Sequence, residues 1–372
     1  MTKKIKEIIG ITLFIVIYIL VLVAVNNYEK AELITRKGVT YEKAIVTEIV
    51  KDNIIEDGSR VGYQTVKLKL LSGDNKGEVI EASSNSGFLY GADCTPNMKV
   101  VVSISISGDN YNASVYSYDR ANIIYLFTII FFILLGIVGG KKGIKSVIGL
   151  IFTFSTILFL FIPMIYRGYS AILAAIICII LISVISLYLI DGFSKKSICA
   201  MIGTIIGVII AGISACIFGK IAKVSSYNLT EIEELILVSD STKLNISGIL
   251  FGGILIAALG AVIDVAMSIS STINEIHEKN PNLSRIELFK SGINVGRDMM
   301  GTMSNTLILA FTGGSITTLI LVHAYNLNYN QVINRYDIAI EIMQGISGSI
   351  GVILTVPIVA FISSLLIKRN KA

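Results

Sequence analysis

Hydrophobic residues along the chain are grouped in long runs, and polar stretches separate these runs. The long runs approach the ~20 apolar residues that a helix needs to cross a bilayer. They predict eight membrane-spanning helices, at residues 8–25, 123–139, 146–166, 170–190, 197–218, 247–270, 302–323 and 346–367. The pattern therefore predicts a polytopic α-helical membrane protein.

One long polar region, residues 26–122, separates the first run from the second. Apolar and polar residues alternate with a period of two in five short segments of this region, and turn-forming Gly, Asn and Asp residues lie between the segments. The segments are residues 43–50, 65–71, 78–82, 99–105 and 113–118. Such alternation is typical of strands with one buried face. We predict a small β domain, an OB-like fold or another barrel, inserted between helices 1 and 2.

These patterns divide the chain into consecutive regions. We predict a membrane anchor at 1–25, the β domain at 26–122, a four-helix segment at 123–218, a loop with a short helix at 219–246, a three-helix core at 247–367 and a tail at 368–372. The first run follows three lysines, so it also fits a cleaved signal peptide. We favour an uncleaved anchor, because the run is long for a signal peptide and lacks a good small-residue cleavage site.

Composition supports the membrane class. The chain is 53% hydrophobic and only 15% charged, whereas soluble domains carry about 25% charged residues. The net charge of +5 requires no nucleic-acid partner. Cys94 is the only cysteine of the β domain, so no disulfide is expected within it, and no Cys/His spacing indicates a metal. We expect no cofactor.

Basic residues are distributed unevenly between the two sides of the predicted helices. With the N-terminus inside, the cytoplasmic segments hold Lys3, Lys4, Lys6, Lys141, Lys142, Lys145, Lys195, Lys196, Lys279, Arg285, Lys290, Arg297, Lys368, Arg369 and Lys371. The short outer loops hold only Arg167, Lys220, Lys223, Lys243 and Arg335. Positive residues favour the cytoplasmic side. Both termini are therefore predicted to be cytoplasmic, and residues 26–122 extracytoplasmic.

Asp264 is the deepest carboxylate in any apolar run, and we take it as the candidate functional residue. An ionisable group at membrane depth is costly and marks a functional site by default. It lies on one predicted helical stripe with small residues, namely Gly253, Ala257, Gly260, Ser268 and Ser271. Small stripes let helices approach closely in lipid, so we expect Asp264 to face a neighbouring helix. Two interpretations stay open, a proton- or cation-binding carboxyl and a hydrogen-bonded packing residue.

The segment after this helix adds further candidates. Residues 284–299 begin with a capping box, Ser284 to Glu287, and have helical apolar spacing, which predicts an amphipathic helix on the cytoplasmic surface. It ends near Arg297 and Asp298. The residues expected to support Asp264 are Ser268, Ser271, Arg297, Asp298, Asn305 and Thr312, with Gly348 and Gly351 on a small stripe of the last helix. We expect the last three spans to pack around Asp264.

Enzymatic alternatives have weak support. An intramembrane aspartyl protease needs two deep carboxylates, and only Asp264 is deep. Gly345 to Gly348 matches the short GxSG pattern of intramembrane serine proteases, but such four-residue matches are common in Gly- and Ser-rich helices. The chain has no P-loop motif for ATP. We expect no enzymatic activity.

Two long motifs identify a family resemblance. The sequences AALGAVIDVAMSISSTINEI and SGINVGRDMMGTMSNTLILAF, together with the run from Gly348 to Pro357, resemble the YibE/F family of bacterial membrane proteins. The resemblance extends over nearly the whole chain and implies a bacterial plasma-membrane protein that transports an unidentified substrate. A weaker likeness in architecture links the chain to RND-type permease units and to accessory subunits of Sec protein export, which use intramembrane carboxylates.

Together these observations predict a secondary transporter or permease, coupled to protons or ions through Asp264. The alternative is a non-transporting accessory protein whose β domain binds an envelope or secreted partner. The expected partners are the lipid bilayer and an unknown solute, ion or protein, without nucleic acid, and an oligomer is compatible with the sequence.

Overall fold

The computed structural model describes residues 3–31, 38–56, 58–85, 91–107 and 110–367. The predicted tail at 368–372 lies outside these residues. The chain divides into two compact units, one formed by Ile34–Leu134 and the other by Met1–Leu33 with Leu135–Ala372. Each unit is described separately below.

The first unit contains a closed five-stranded barrel. Its strands are β1 (Val39–Lys51), β2 (Tyr63–Leu70), β3 (Val79–Asn85), β4 (Lys99–Ser107) and β5 (Asn110–Tyr118). They are ordered β1-β2-β3-β5-β4, and β4 pairs back to β1. All pairs are antiparallel except β3 with β5. The predicted β domain and its five strands are confirmed, and the barrel arrangement is that of an OB-like fold.

Alternation places apolar side chains inside the barrel. On β2, for example, Val66, Leu68 and Leu70 are buried, whereas the residues between them face outward. Two polar side chains, Gln64 and Ser84, are also fully buried. A buried polar group is costly unless it forms hydrogen bonds, so these two residues need partners inside the barrel.

The partners are backbone groups of residues 91–94, which we call the barrel closure segment. Its four consecutive N–H groups each donate a hydrogen bond: Gly91 to the Tyr116 carbonyl (2.8 Å), Ala92 to Ser84 Oγ (3.2 Å), Asp93 to the Tyr118 hydroxyl (3.0 Å) and Cys94 to Gln64 Oε1 (2.8 Å). Gln64 and Ser84 also donate to the carbonyls of Cys94 and Ala92. The two buried polar side chains thus replace strand pairing for a segment that is not itself a strand.

The second unit is helical. The chain's helices are α1 (Lys3–Asn26), α2 (Ala121–Thr156), a π-helical turn (Ile157–Phe161), α3 (Ile162–Tyr166), α4 (Ala171–Asp191), α5 (Lys195–Ala222), a 3₁₀ turn (Ser226–Asn228), α6 (Ile232–Ser241), α7 (Ile249–Lys279), α8 (Arg285–Gly314), α9 (Ile316–Ala324), α10 (Tyr329–Ile333) and α11 (Tyr336–Leu366). Most of α2 belongs to this unit, but its first turns belong to the barrel unit. The short helix predicted within residues 219–246 is α6.

Five helices among the described residues are long and apolar enough to cross a membrane, or six if α8 and α9 form one bent span. The first of these covers 46 residues, from Ala121 to Tyr166. A straight helix of that length would measure about 69 Å, more than twice the ~30 Å hydrocarbon core. It is broken at Gly140, whose φ of 53° and ψ of −135° are not helical. Beyond the break, a Cβ at Gly143 would collide with the Leu135 carbonyl, so the chain folds back tightly there.

One boundary prediction is wrong. Residues 284–299 were predicted to form a separate surface helix, but α8 continues without interruption from Arg285 to Gly314. The apolar positions of the two segments fall on one continuous helical face, so no break is required between them. The capping box is confirmed, since Ser284 Oγ accepts from the Glu287 N–H (3.2 Å) and Glu287 Oε2 accepts from the Ser284 N–H (2.7 Å). The chain bends by 60° only after Gly314.

Candidate functional site

Asp264 lies near the middle of α7, on the face opposite the buried core of this helix. Val262, Val265, Ala266 and Ile269 are fully buried and form the core side. Asp264 is exposed in the isolated chain. Its position follows from the helical period, because the residues three and four positions away from it toward the N-terminus also lie on the open face.

The open face of α7 forms one wall of a groove of about 440 Å³. The other walls are α4 and the part of α2 that follows Gly140. Most side chains that line the groove are aliphatic, including Leu150, Ile157, Ile182, Ile190, Ile256 and Ile263. We call it the Asp264 groove.

Only a few polar groups enter this apolar groove. They are the Asp264 carboxyl, the Lys145 ammonium and the hydroxyls of Ser146, Thr153 and Ser186. Ser146 and Thr153 donate their hydroxyl protons within their own helix, to the carbonyls of Lys142 (3.0 Å) and Gly149 (3.0 Å). Their oxygens can still accept a hydrogen bond. The groove therefore offers one carboxyl and several hydroxyl oxygens to a ligand that donates protons or carries positive charge.

Within the described part of the chain, Asp264 forms no salt bridge and accepts no hydrogen bond. A charged carboxylate at the centre of a membrane helix costs about 2.5–3.5 kcal/mol on insertion scales. Lys145 lines the same groove but forms no described salt bridge with Asp264, so no ion pair among the described residues offsets this cost. The carboxyl is therefore suited to hold a proton, or a bound cation, rather than an unpaired negative charge.

The packing predicted around Asp264 is wrong in two respects. A Cβ added at Gly253 or Gly260 would meet no described atom within 4 Å, so these glycines permit no close helix contact within the chain. The stripe instead lies on the open face of α7. The prediction that the last three spans surround Asp264 is also wrong, because its groove is formed with α2 and α4.

The predicted supporting residues lie elsewhere. Arg297, Asp298, Asn305 and Thr312 are exposed on the outer face of α8, and none of them lines the Asp264 groove. No described salt bridge joins Arg297 to Asp298 or to Asp264. Ser268 and Ser271 are half-buried on α7. Ser271 lines a different, polar groove at the end of α4, where Asp191 pairs with Lys196 (2.9 Å).

No metal centre is present in the described ranges, because no group of three or more His, Cys, Asp or Glu side chains is placed to hold an ion. The acidic groups near Ser271 are accompanied by lysines. We therefore take the Asp264 groove, with its carboxyl in a largely aliphatic lining, as the candidate ligand site of the helical unit.

The comparison with known families now adds an identity. A family model described as YibE/F-like protein matches residues 127–369, about two thirds of the chain. The chain belongs to the YibE/F family. No curated protein and no solved structure matches it. The matched YibE/F region includes every wall of the Asp264 groove, whereas the barrel strands precede it.

Tight helix contacts in the YibE/F region lie on the far side of α7 and involve α5, α8 and α11. A Cβ at Gly207 of α5 would collide with Thr355 of α11, and one at Gly351 would lie 2.8 Å from the Cβ of Ala211. Gly351 therefore lies where α11 closely crosses α5. It does not lie next to Asp264. A Cβ added at Gly348 would make only ordinary contacts, with Leu307 (3.4 Å) and Ala258 (3.8 Å).

Sequence reasoning missed the glycines of α5 and α8. A Cβ at Gly203 would collide with Val359, and one at Gly296 would collide with Val356, both of α11. Gly292 is similarly crowded by Ile273 (2.6 Å) and Ala360 (3.0 Å). The signal was present, because Gly203 with Gly207 and Gly292 with Gly296 repeat at a spacing of four, the spacing of close helix contacts in membranes.

A second missed feature of the YibE/F region is the π-helical turn Ile157–Phe161, which begins at the edge of the groove. Such turns often mark functional sites because they leave the regular bonding pattern. Here the amide of Asn26 on α1 donates to the Phe159 carbonyl (2.7 Å). Nearby, the Tyr18 hydroxyl pairs with those of Ser155 (3.2 Å) and Thr156 (3.1 Å). Polar contacts therefore attach α1 to this turn.

Proposed function

We propose that this YibE/F protein is a secondary transporter or permease of the bacterial plasma membrane, coupled to protons or cations through Asp264. The observation that carries the proposal is the carboxyl without a described partner in a largely aliphatic groove. A group placed in this way gains most when it binds a proton or a cation, because binding removes the cost of an unpaired charge in an apolar environment.

The proposal includes an eight-span topology. The spans are α1, the two arms of α2 on either side of Gly140, α4, α5, α7, the bent pair α8 and α9, and α11. At 30 residues, α8 would measure about 45 Å, so its amphipathic start extends beyond a ~30 Å hydrocarbon core. The distribution of basic residues supports cytoplasmic termini and an extracytoplasmic barrel.

The bend after Gly314 adds support of a different kind. Secondary transporters commonly contain discontinuous membrane helices whose free ends contact ions or substrates. The α8–α9 pair bends by 60° at a break of this type. We assign it no ligand, since Thr312 and its neighbours lie outside the Asp264 groove.

The test uses the full chain in lipid membranes and does not require the substrate. Infrared difference spectra between acid and alkaline pH should contain the C=O band of a carboxyl that is protonated near neutral pH. Asp264→Asn should remove this band. Glu275→Gln is the matched control, because Glu275 is on the same helix, is exposed and pairs with Lys279 (2.9 Å). A band that is absent from the wild type, or retained in Asp264→Asn, refutes proton binding by Asp264, and coupling to a cation is then decided by the flux measurement.

Flux measurements then test transport itself. Liposomes that contain the purified chain should conduct protons or alkali cations faster than empty liposomes, and Asp264→Asn should reduce this flux to the level of empty liposomes. Full flux in Asp264→Asn would overturn the proposal.

The alternative, an accessory protein that acts through its barrel, is favoured by one observation, an uncharged tyrosine-lined groove on the barrel surface. In that case Asp264→Asn would leave the flux unchanged, and binding by the barrel would be the activity to measure.

A further inference from the structure

The outer surface of the barrel carries a second groove, of about 700 Å³, that is formed by residues of all five strands and by the glycines that flank two of them. Three tyrosines project into it. Tyr63 is 60% exposed, and Tyr41 and Tyr116 are each 43% exposed. Large aromatic side chains that stay exposed on a small barrel are available for ligand contact.

Strand register places neutral polar side chains between these tyrosines. Ser83 of β3 is paired with Ser114 of β5, Ser114 with Ser103 of β4, and Ser103 with Tyr41 of β1. These four residues form one row across the sheet, at a strand spacing of about 4.8 Å. Directly paired residues on neighbouring strands have side chains on the same face. The row therefore presents three hydroxyls in succession, and it ends at a tyrosine ring.

A second pair extends this surface along the strands. Tyr63 of β2 is paired with Asn85 of β3, two residues from Ser83. Tyr116 follows Ser114 by two residues on β5, which runs parallel to β3, so it lies on the same side of the serine row as Asn85. It packs edge-to-face against Tyr41, with ring centroids 5.3 Å apart. The pair of rings holds both tyrosines in place. The result is a row of hydroxyls that ends at Tyr41 and is flanked along one side by the Asn85 amide, Tyr63 and Tyr116.

None of the described residues that line this groove is charged. The rest of the barrel surface differs, since Glu48 pairs with Lys67 (2.7 Å) and Lys43 with Asp119 (3.2 Å). Hydrogen bonding and Coulombic attraction between Glu48 and Lys67 raise the pKa of Lys67, which favours its charged form. The uncharged groove is therefore a local feature and not the general composition of the domain.

Two glycines, Gly62 and Gly91, lie at the rim of the groove, and neither carries a side chain that would fill it. Gly62 and Gly91 both have positive φ, of 82° and 88°. A Cβ at Gly91 would collide with the Asn85 carbonyl, so only glycine lets the closure segment pass so near β3. The hydrogen bond from the Gly91 N–H to the Tyr116 carbonyl fixes this approach.

We infer that this groove binds a neutral oligosaccharide. Hydroxyl groups both donate and accept hydrogen bonds, so a row of serines suits a polymer with hydroxyls on every unit, and tyrosine rings offer apolar faces to sugar rings. OB-fold barrels bind either oligonucleotides or oligosaccharides. A nucleic acid requires basic residues along its backbone, and the described lining of the groove has none. A peptide that binds as an added β-strand requires a free strand edge, and the barrel is closed.

This inference is independent of the proposed transport function, because no residue of the Asp264 groove takes part. The experiment measures binding of chitotetraose, cellotetraose and maltotetraose to the full chain, by calorimetry and saturation-transfer NMR. The chain should be held in phosphocholine lipid nanodiscs rather than in maltoside detergent, whose sugar headgroup would compete. We expect at least one tetrasaccharide to bind with a Kd below about 1 mM.

Substitutions locate the binding. Tyr63→Ala and Tyr116→Ala should each weaken binding by about tenfold, the effect of one lost aromatic contact, whereas Tyr63→Phe should retain most of it. Tyr227→Ala is the matched control, because Tyr227 is 56% exposed but is remote in sequence from the barrel. Protection of the buried Cys94 thiol from a maleimide reports whether each variant is still folded.

Three outcomes would overturn the inference. The first is that none of the three sugars binds at about 10 mM. The second is that binding is equal in the wild type, Tyr63→Ala and Tyr116→Ala while Cys94 stays protected. The third is that an oligothymidine or an extended peptide binds at these tyrosines and the sugars do not.

Discussion

Replacement of Gln64 by leucine tests whether polar side chains hold the barrel closed. Gln64 is fully buried. Its amide accepts from the Cys94 N–H (2.8 Å) and donates to the Cys94 carbonyl (3.3 Å) and to Asp52 Oδ1 (3.0 Å). Leucine has a similar size and adds apolar burial, but it forms none of these bonds.

The size of the expected loss of barrel stability follows from the buried groups that lose their hydrogen-bond partner. Cys94 would keep a buried N–H and a buried C=O without the Gln64 amide, and each such group costs about 1–3 kcal/mol. The added apolar area of leucine offsets part of this, by about 1 kcal/mol. We therefore expect Gln64→Leu to lower the free energy of barrel unfolding by about 2–4 kcal/mol.

Cys94 itself provides the assay. Its side chain is fully buried and burial raises the pKa of its thiol, so a maleimide reacts only when the barrel opens. In a chain with Cys178, Cys199 and Cys216 replaced by alanine, the labelling rate follows the population of the open form. A loss of 2–4 kcal/mol should accelerate labelling by roughly 30- to 700-fold, since each 1.4 kcal/mol is a factor of ten.

A neighbouring substitution and a charged one complete the experiment. Thr65→Val changes the next residue, which lies on the outer face, and should leave the labelling rate nearly unchanged. Gln64→Glu should be less stable at pH 7 than at pH 5, because its ionised carboxylate cannot donate to Cys94 and faces Asp52. Wild-type labelling rates in Gln64→Leu, or equal acceleration in Thr65→Val, would refute the role assigned to Gln64.

Two further predictions concern other parts of the chain. Gly207→Val forces a side chain against Thr355 and should destabilise the helical unit by about 1–3 kcal/mol. Thermal unfolding in detergent measures this loss. Gly301→Val is the control, because a Cβ at Gly301 would meet no described atom within 4 Å. The second prediction concerns pH. A hydrogen bond from the Gln64 amide, followed by one from the Asn53 N–H, lowers the pKa of Asp52 in the folded barrel. The ionised Asp52 carboxylate therefore stabilises the barrel fully above its unfolded-state pKa of about 3.9, and this stabilisation is lost as the pH falls through the lower folded-state pKa. Labelling of Cys94 with a dithiopyridine reagent that reacts in acid should accelerate over that range in the wild type but not in Asp52→Asn.

Sequence periodicity was sufficient to predict the β domain and its five strands. Alternation predicted all five strands, because the side chains of a half-buried strand point in turn to the buried face and to the exposed face, which gives a period-two pattern in the sequence. The closure segment could not be predicted, since its hydrogen bonds come from Gln64 and Ser84, which look like interruptions of the apolar pattern. The capping box at Ser284 could be predicted because its partner, Glu287, is only three residues away.

The surroundings of Asp264 could not be predicted, for a related reason. A stripe of small residues indicates that a helix can be approached closely, but it does not indicate which helix approaches. On α7 the stripe at Gly253 and Gly260 is open, whereas glycines of α5 and α8 make the close contacts. Helices that are hydrophobic all round carry little information about which face is buried, so neighbours on α2 and α4 left no signal in the sequence of α7.

The distribution of glycine contacts also has a mechanical consequence. Glycines bring the backbones of α5, α8 and α11 so close that one helix cannot slide without collisions. On the other wall of the Asp264 groove, a Cβ added at Gly149 of α2 would make only ordinary contacts, with Leu189 (3.8 Å) and Ser186 (3.9 Å) of α4. The π-helical turn at the end of this arm supplies a natural pivot. A swing of the arm about the turn would widen or close the space around Asp264 while the glycine-packed helices stay fixed.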